Sequence, residues 1–405
     1  RDEILSMLAK EMLDAAEQLP ASQPEVGRIH KYIALAYAAK IKLYQAYQQD
    51  EITHAVTSIN KELLREVVSL CDQVTASNRY GLLDDFQGLD LVTNENGKES
   101  VFAIQYSMND GTESAGRINW SNLLNSPGGG SPYGGDGFFL PSQDLINAYQ
   151  TDANGLPDFN YQSKSDYSWA VLNNGVYTLQ NTTPNVDPRL DFVVGRPTIT
   201  WKTYPDKPCE GWVRDKDTYG YNCAKRFWVS PESSDMFNGW PWGASQLNWQ
   251  IIRYADILLW KAEALIELNE GNGLETARDL INQIRNRARN SAYVKDFNDH
   301  SKYAANYLVN PYPADVWNQD YARQALRWET RLEKALEGER FFDLVRWGIV
   351  ETTMNKYITA ESDNRIYYAN AHFTGGKDEY YPVPNNQYGF SGGKYVQNPG
   401  YAPFN

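Results

Sequence analysis

The chain has 405 residues, 22% of them charged and 42% hydrophobic, enough to bury a large core in one big unit or in two to three domains. Its net charge is −13, and no Lys/Arg cluster offsets it, which argues against nucleic acid as a partner and favours a neutral ligand over a polyanion. No apolar run approaches the roughly 18–20 residues needed to span a membrane.

Residues 1–76 read as helical. Ile4, Leu8, Met12 and Ala15/Ala16 form one stripe, which "LPASQP" ends. Tyr32, Ala36, Ala39, Leu43 and Ala46 form a second, and a third run extends from Thr53 to about Ala76. Alanines on a contact face let helices approach closely, as in stacked helical hairpins. The chain opens at Arg1 already in helical pattern. The natural N-terminus is therefore read as missing, and the lack of a visible signal peptide says little about export.

Residues 77–250 are rich in Gly, Asn, Pro and Ser, as in "NSPGGGSPYGGDG" at 125–137. Here "ESVFAIQYS" (99–107) alternates like a strand, and "LPSQDLINAYQ" (140–150) reads as a short helix with Ser142 as N-cap. So long an irregular stretch often carries function. Cys209 and Cys223 flank a turn-rich segment, compatible with a loop-closing disulfide or with two unpaired thiols; Cys71 reads as a buried small apolar residue.

Residues 251–350 return to helix. Ile251, Ala255, Leu258, Leu259, Ala262, Leu265 and Ile266 make an amphipathic stripe, and "NEGNG" at 269–273 ends it. Leu274, Ala277, Leu280, Ile281, Ile284 and Ala288 line a partner helix, completing a tetratricopeptide-like hairpin. A further pair covers about 319–337 and 339–347, split by Gly338. Residues 351–405 hold the end of the last helix and an extended, non-helical tail with "YYPVPNNQ" and "QNPGYAPF". The expected fold is thus mainly α: a helical-hairpin scaffold carrying a large irregular loop-rich region and minor β.

Together, "RYADILLWKAEALIELNEG" (253–271), "INQIRNRAR" (281–289), "EGERFFDLVRWG" (337–348), "YYPVP" (380–384) and "QNPGY" (397–401) resemble the SusD/RagB family of Bacteroidetes outer-membrane nutrient-binding lipoproteins. "LPSQDLINAY" and "DPRLDFVVG" (187–195) match weaker family patterns. The resemblance implies one compact unit, a surface lipoprotein at the cell outer membrane that binds oligosaccharides and caps a SusC-type TonB-dependent transporter. Membrane contact would come only through an N-terminal lipid anchor absent from this chain. Some relatives take peptides instead.

Aromatic residues are in excess, with 12 Trp, 28 Tyr and 14 Phe, and flat rings with a polar edge suit stacking on sugars. Helix-borne Trp260, Trp328 and Trp347 read as core. Trp120, Tyr167, Trp169, Trp201, Trp212, Trp240 and Trp242 lie in loop-like contexts and are the candidate ligand contacts. The resemblance singles out Tyr167 and Trp169, which follow the "LPSQDLINAY" helix, with Asn173, Asn174, Asp166 and Lys164 near enough to hydrogen-bond sugar hydroxyls.

Four scattered histidines offer no transition-metal spacing, and no nucleophile elbow or Walker loop is visible, so neither catalysis nor a cofactor is expected. "TDANGLPD" (151–158) reads as a plain turn rather than a calcium loop. An all-helical glycoside hydrolase is the catalytic alternative, but about seven or eight helices are too few for a closed double ring; a pure helical scaffold would leave the Trp-rich middle unexplained. In "EGERFFDLVRWG", Arg340, Asp343 and Arg346 share a helix face and are expected to form a structural ion network, with Glu337 or Glu339 taking the spare charge.

Overall fold

The computed structural model describes residues 1–404 except 114–115, 126, 136, 169, 174–175, 180–183, 209–210 and 240–242; for 121, 123–124, 170–173 and 176–179 only the backbone is described. The architecture is mainly α. Three N-terminal helices come first: α1 (Asp2–Gln18), α2 (Lys31–Ala46) and α3 (Lys61–Thr75). α2 lies between the other two. Its alanines 34, 36, 38, 39 and 46 are all buried, as the small-residue stripe requires.

The third helix starts later than its sequence pattern suggests. Val56–Ile59 form a strand against Tyr47–Gln49, and Asn60 then caps α3 by accepting from the amides of Glu62 (3.0 Å) and Leu63 (3.2 Å). The β-branched run Val56-Thr57 and a good N-cap outweigh helical continuation from Thr53.

Short helices α4 (Gln143–Ala148), α5 (Arg189–Val193) and α6 (Lys216–Tyr219) stud the middle region. Ser142 caps α4 through the Leu145 amide at 3.1 Å, as expected. The C-terminal part holds α7 (Tyr254–Leu268), α8 (Gly273–Asn290), α9 (Gln319–Glu333), α10 (Arg340–Arg346), α11 (Val350–Glu361) and α12 (Asn385–Phe390). α7 begins three residues after Ile251, because Trp249–Arg253 pair antiparallel with Ser100–Ile104. α12 interrupts the tail, which is therefore not wholly extended.

The two helical parts form one stack, since α3 packs directly on α7 and α7 on α8 and α9. The Lys61 ammonium donates to the Leu268 carbonyl at the C-terminus of α7 (3.1 Å), where a cation is favoured. Lys261–Asp72 (2.6 Å) and Arg65–Glu270 (2.7 Å) bridge the same pair of helices. Cys71 is buried in this seam, which pushes its thiol up to about 12.

The middle region is fastened to the stack by buried charge. Arg189 pairs with Asp187 (2.7 Å) and with Glu329 of α9 (2.5 Å), and Arg285 of α8 takes the other oxygen of Glu329 (3.1 Å). Arg253 reaches Glu99 (2.8 Å), Glu333 (3.0 Å) and Glu337 (2.7 Å), and Arg287 bonds Glu99 (3.1 Å) and Glu333. Burial alone would raise the Glu333 carboxyl; the charges of Arg287, Arg253 and Arg189 reverse this and hold it at about 2. Such a lattice survives out of water only because each charge meets its opposite with hydrogen-bonding geometry.

The "EGERFFDLVRWG" network forms differently from the expectation. Arg346 donates to Asp343 (2.9 Å) and to Glu263 of α7, and the Trp347 indole N–H also donates to Glu263 (2.9 Å). Glu337 and Glu339 are engaged elsewhere, by Arg253 and by Lys40 and Lys334 (both 2.5 Å). Arg340 stays outside this network; among the described residues its guanidinium donates to the Arg327 backbone carbonyl alone, at 3.4 Å.

Candidate binding site

Most of the loop-borne aromatics that the structure describes turn inward. Trp201 and Trp212 are fully buried in one cluster with Tyr133, Cys223 and Trp228, and the Trp201 indole donates to Tyr133 Oη (2.9 Å). Tyr167 is buried in a second cluster, its backbone N–H donating to Asn147 Oδ1 (2.9 Å). These three therefore offer no open ring face to a ligand. The physical reason is that a region with few helices must still bury a core, and bulky rings supply it.

Trp120 alone among the named aromatics described is exposed, at 47%. Trp169, Trp240, Trp242 and Asn174 lie outside the described residues, as does Cys209 and with it any Cys209–Cys223 bond. Asn173 ends the strand Ala170–Asn173, opposite Val176, and its side chain is not described. Asp166 is taken by the Asn147 amide (2.7 Å) and Lys164 by Asp158. Asp152 Oδ1 accepts the amides of Asn154 (2.8 Å) and Leu156 (2.9 Å), the geometry of a plain turn.

An aromatic-walled opening lies elsewhere, a cavity of about 770 Å³ between α9, α10, α11 and the segment 139–162. A concavity of about 710 Å³ between loops 107–117 and 231–238 has a mixed lining with Phe237 as its one aromatic among the described residues. On α9 the buried face carries Ala322, Ala325, Leu326, Glu329 and Glu333, and the opposite ridge carries Arg323, Arg327 and Arg331 at four-residue spacing, with Trp328 beside them.

Trp328 is held as a fixed platform. Its indole N–H donates to the Ala148 carbonyl (3.2 Å), and Phe159 and Tyr161 meet its ring edge-on at 5.2 and 5.5 Å. Tyr161 Oη donates to Asp144 Oδ1 (2.7 Å) and accepts from Arg331 (2.9 Å), while Arg331 also grips Asp144 Oδ2 (2.6 Å). Phe341 of α10 and Tyr357 of α11 face the same space. Helix-borne Trp328, expected in the core, packs against a core cluster with one side and lines the opening with the other.

Arg323 is paired with Glu267 (2.7 Å), and Arg331 with Asp144; Arg327, between them, meets no carboxylate of the described residues. Arg327 and Arg340 lie against the Trp347 ring at 5.3 and 5.9 Å. Burial lowers both guanidinium groups, and for Arg340 the nearby charge of Arg331 adds to it, taking it down to about 9. Nearby acids, Glu263 and Glu267 for Arg327 and Asp343 and Asp144 for Arg340, do not offset that burial. The sequence carries the signal: Arg327 has Arg323, Gln324, Thr330 and Arg331 three and four positions away, and no acid.

A sequence model of the SusD family matches residues 98–401. No curated protein matches the chain. A SusD superfamily protein from Bacteroides vulgatus shares 21% identity with a TM-score of 0.61, over 94% of this chain and 64% of its own. A SusD homolog from Bacteroides thetaiotaomicron shares 17% with a TM-score of 0.66, over 98% and 70%. A laminarin-binding SusD-like protein shares 20% with a TM-score of 0.53, over 98% and 69%. At these identities the likeness speaks for the fold, and the chain spans 64% of the length of the B. vulgatus protein. With the family match running through the α7–α11 scaffold and both proline-rich tail motifs, the chain belongs to the SusD family.

Proposed function

We propose that the chain is a non-catalytic binding protein for oligosaccharides. In this reading it sits at the outer-membrane surface through a lipid anchor and passes cargo to a SusC-type TonB-dependent transporter. Residues 1–76, 77–250, 251–350 and 351–405 then act as one binding unit.

The observation that carries the reading is the α9 cavity, where a rigid Trp328–Phe159–Tyr161 platform stands beside guanidinium and hydroxyl donors in a SusD-family chain. Pyranose rings offer an apolar face and a polar rim, which such a surface complements. Laminarin binding by a structurally similar protein supports the class of ligand. The acids lining the cavity support a non-catalytic role. Asp144 and Asp343 are buried and each tied to an arginine, and Asp320 lies at the surface beside Arg323, an arrangement that serves charge pairing rather than a matched acid and base.

Isothermal titration against neutral and acidic oligosaccharides, with Trp328→Ala as control, tests the proposal. Micromolar to millimolar binding that Trp328→Ala weakens at least tenfold is expected. Binding of peptides and of no oligosaccharide, or release of hydrolysis products, would overturn it.

A further inference from the structure

We propose that the α9 cavity selects a carboxylate-bearing oligosaccharide, with Arg327 and Arg340 as the clamp for its acidic group. The inference rests on the glycan-binding reading and names the class of glycan.

This fold pairs its buried arginines with acids. Arg189, Arg253, Arg285, Arg287, Arg331 and Arg346 each hold a carboxylate at 3.1 Å or less. Arg327 and Arg340 are half-buried yet hold none among the described residues. Both pack on the same indole, so they share one end of the cavity. Cation–π contact steadies a guanidinium but does not neutralise it. Withdrawing charge from water without a partner is costly, and an anionic ligand would relieve that cost.

The wider lining points the same way. Of the six cations that line the cavity, Arg323 is held by Glu267 and Asp320, Arg331 by Asp144, and Lys334 by Asp256 and Glu339. Arg327, Arg340 and Lys356 have no ion pair among the described residues, and the remaining lining acid, Asp343, is committed to Arg346. A chain of net charge −13 thus keeps a cationic excess at this place, against the general preference for neutral ligands that its total charge suggests. A guanidinium fork matches a carboxylate with two parallel hydrogen bonds. The half-buried Trp328 and Phe341 that line the cavity provide adjoining apolar surface for a pyranose, and a cavity of about 770 Å³ has room for a short oligosaccharide.

The test is titration calorimetry on the full chain with galacturonate and alginate trisaccharides and with their neutral methyl esters. Esterification keeps the ring and removes the charge. At least one acid should bind tenfold or more tightly than its ester, and more weakly as salt rises. Arg327→Gln with Arg340→Gln should abolish that difference, bringing acid and ester to the same affinity. Melting curves should place this double variant at or above the wild type, since it loses uncompensated charge. Equal binding of acid and ester, or an unaffected double variant, would overturn the proposal. If no acidic trisaccharide binds while a neutral glucan oligomer does, the acid clamp falls and glycan binding stands. If only an acidic peptide binds, both fall.

Discussion

Changing Glu333 to Gln removes one negative charge from the centre of the buried lattice while keeping its shape. Glu333 is fully buried and touches Arg189, Arg253 and Arg287 at once. A carboxyl held at about 2, against an ordinary value near 4.3, contributes about 3 kcal/mol of stability at neutral pH. Breaking a buried pair by removing one partner costs about 3–5 kcal/mol, which agrees in size. For a 405-residue chain melting as one unit, this lowers Tm by about 4–6 °C. The sign fixes the pH dependence. A depressed carboxyl stabilises the fold above its unfolded value, and that stability is lost as pH falls from about 5 through 2, with about half gone by pH 3. Thermal melts followed by circular dichroism at pH 7 and pH 3 should therefore show a wide gap that narrows on acidification. A Glu333→Gln protein melting within a degree of wild type at pH 7, or a gap indifferent to pH, would refute the reasoning.

Asp343→Ala leaves Arg346 with Glu263 alone and should lower Tm by about 3 °C in the same assay. Glu95 has the opposite sign. Burial, with the like charge of Asp235 and against the Asn248 amide bond, raises it to about 7, so its contribution is present below about 4.5 and lost as pH rises through 7. Glu95→Gln should flatten that loss and stabilise the protein by about 1 kcal/mol at pH 8, discounted for partial exposure, as read by urea melts at pH 5 and 8. Gly348 turns α10 into α11 at φ +67°, and a Cβ there would lie 2.9 Å from a Val56 methyl. Gly348→Ala should cost about 1–2 kcal/mol in urea melts at pH 7.

The helical stack was readable because it rests on local periodicity. Ala255, Leu258, Leu259, Ala262 and Ile266 are all buried on α7, and Ser142 caps where its position suggested. Strand pairing was harder to read. Val56–Ile59 and Trp249–Arg253 gain their partners from turns and from a segment some 150 residues away in sequence, which no window of the chain displays. Aromatic context misled most. Trp201 and Trp212 stand among loop residues and are packed inside, whereas Trp328 stands on a regular helix and walls a cavity. Being on a helix does not decide burial; the face does. "EGERFFDLVRWG" divides on the same rule, with Arg346 tied to Glu263 of α7 and Arg340 and Phe341 turned to the cavity.

The most direct test of the account is a crystal structure of the chain with an oligosaccharide that calorimetry shows to bind. Sugar density is predicted against Trp328 and Phe341, between α9 and α11, with an acidic group on Arg327 and Arg340. Density stacked on Trp120 or in the middle loops, with the α9 cavity empty, would contradict it.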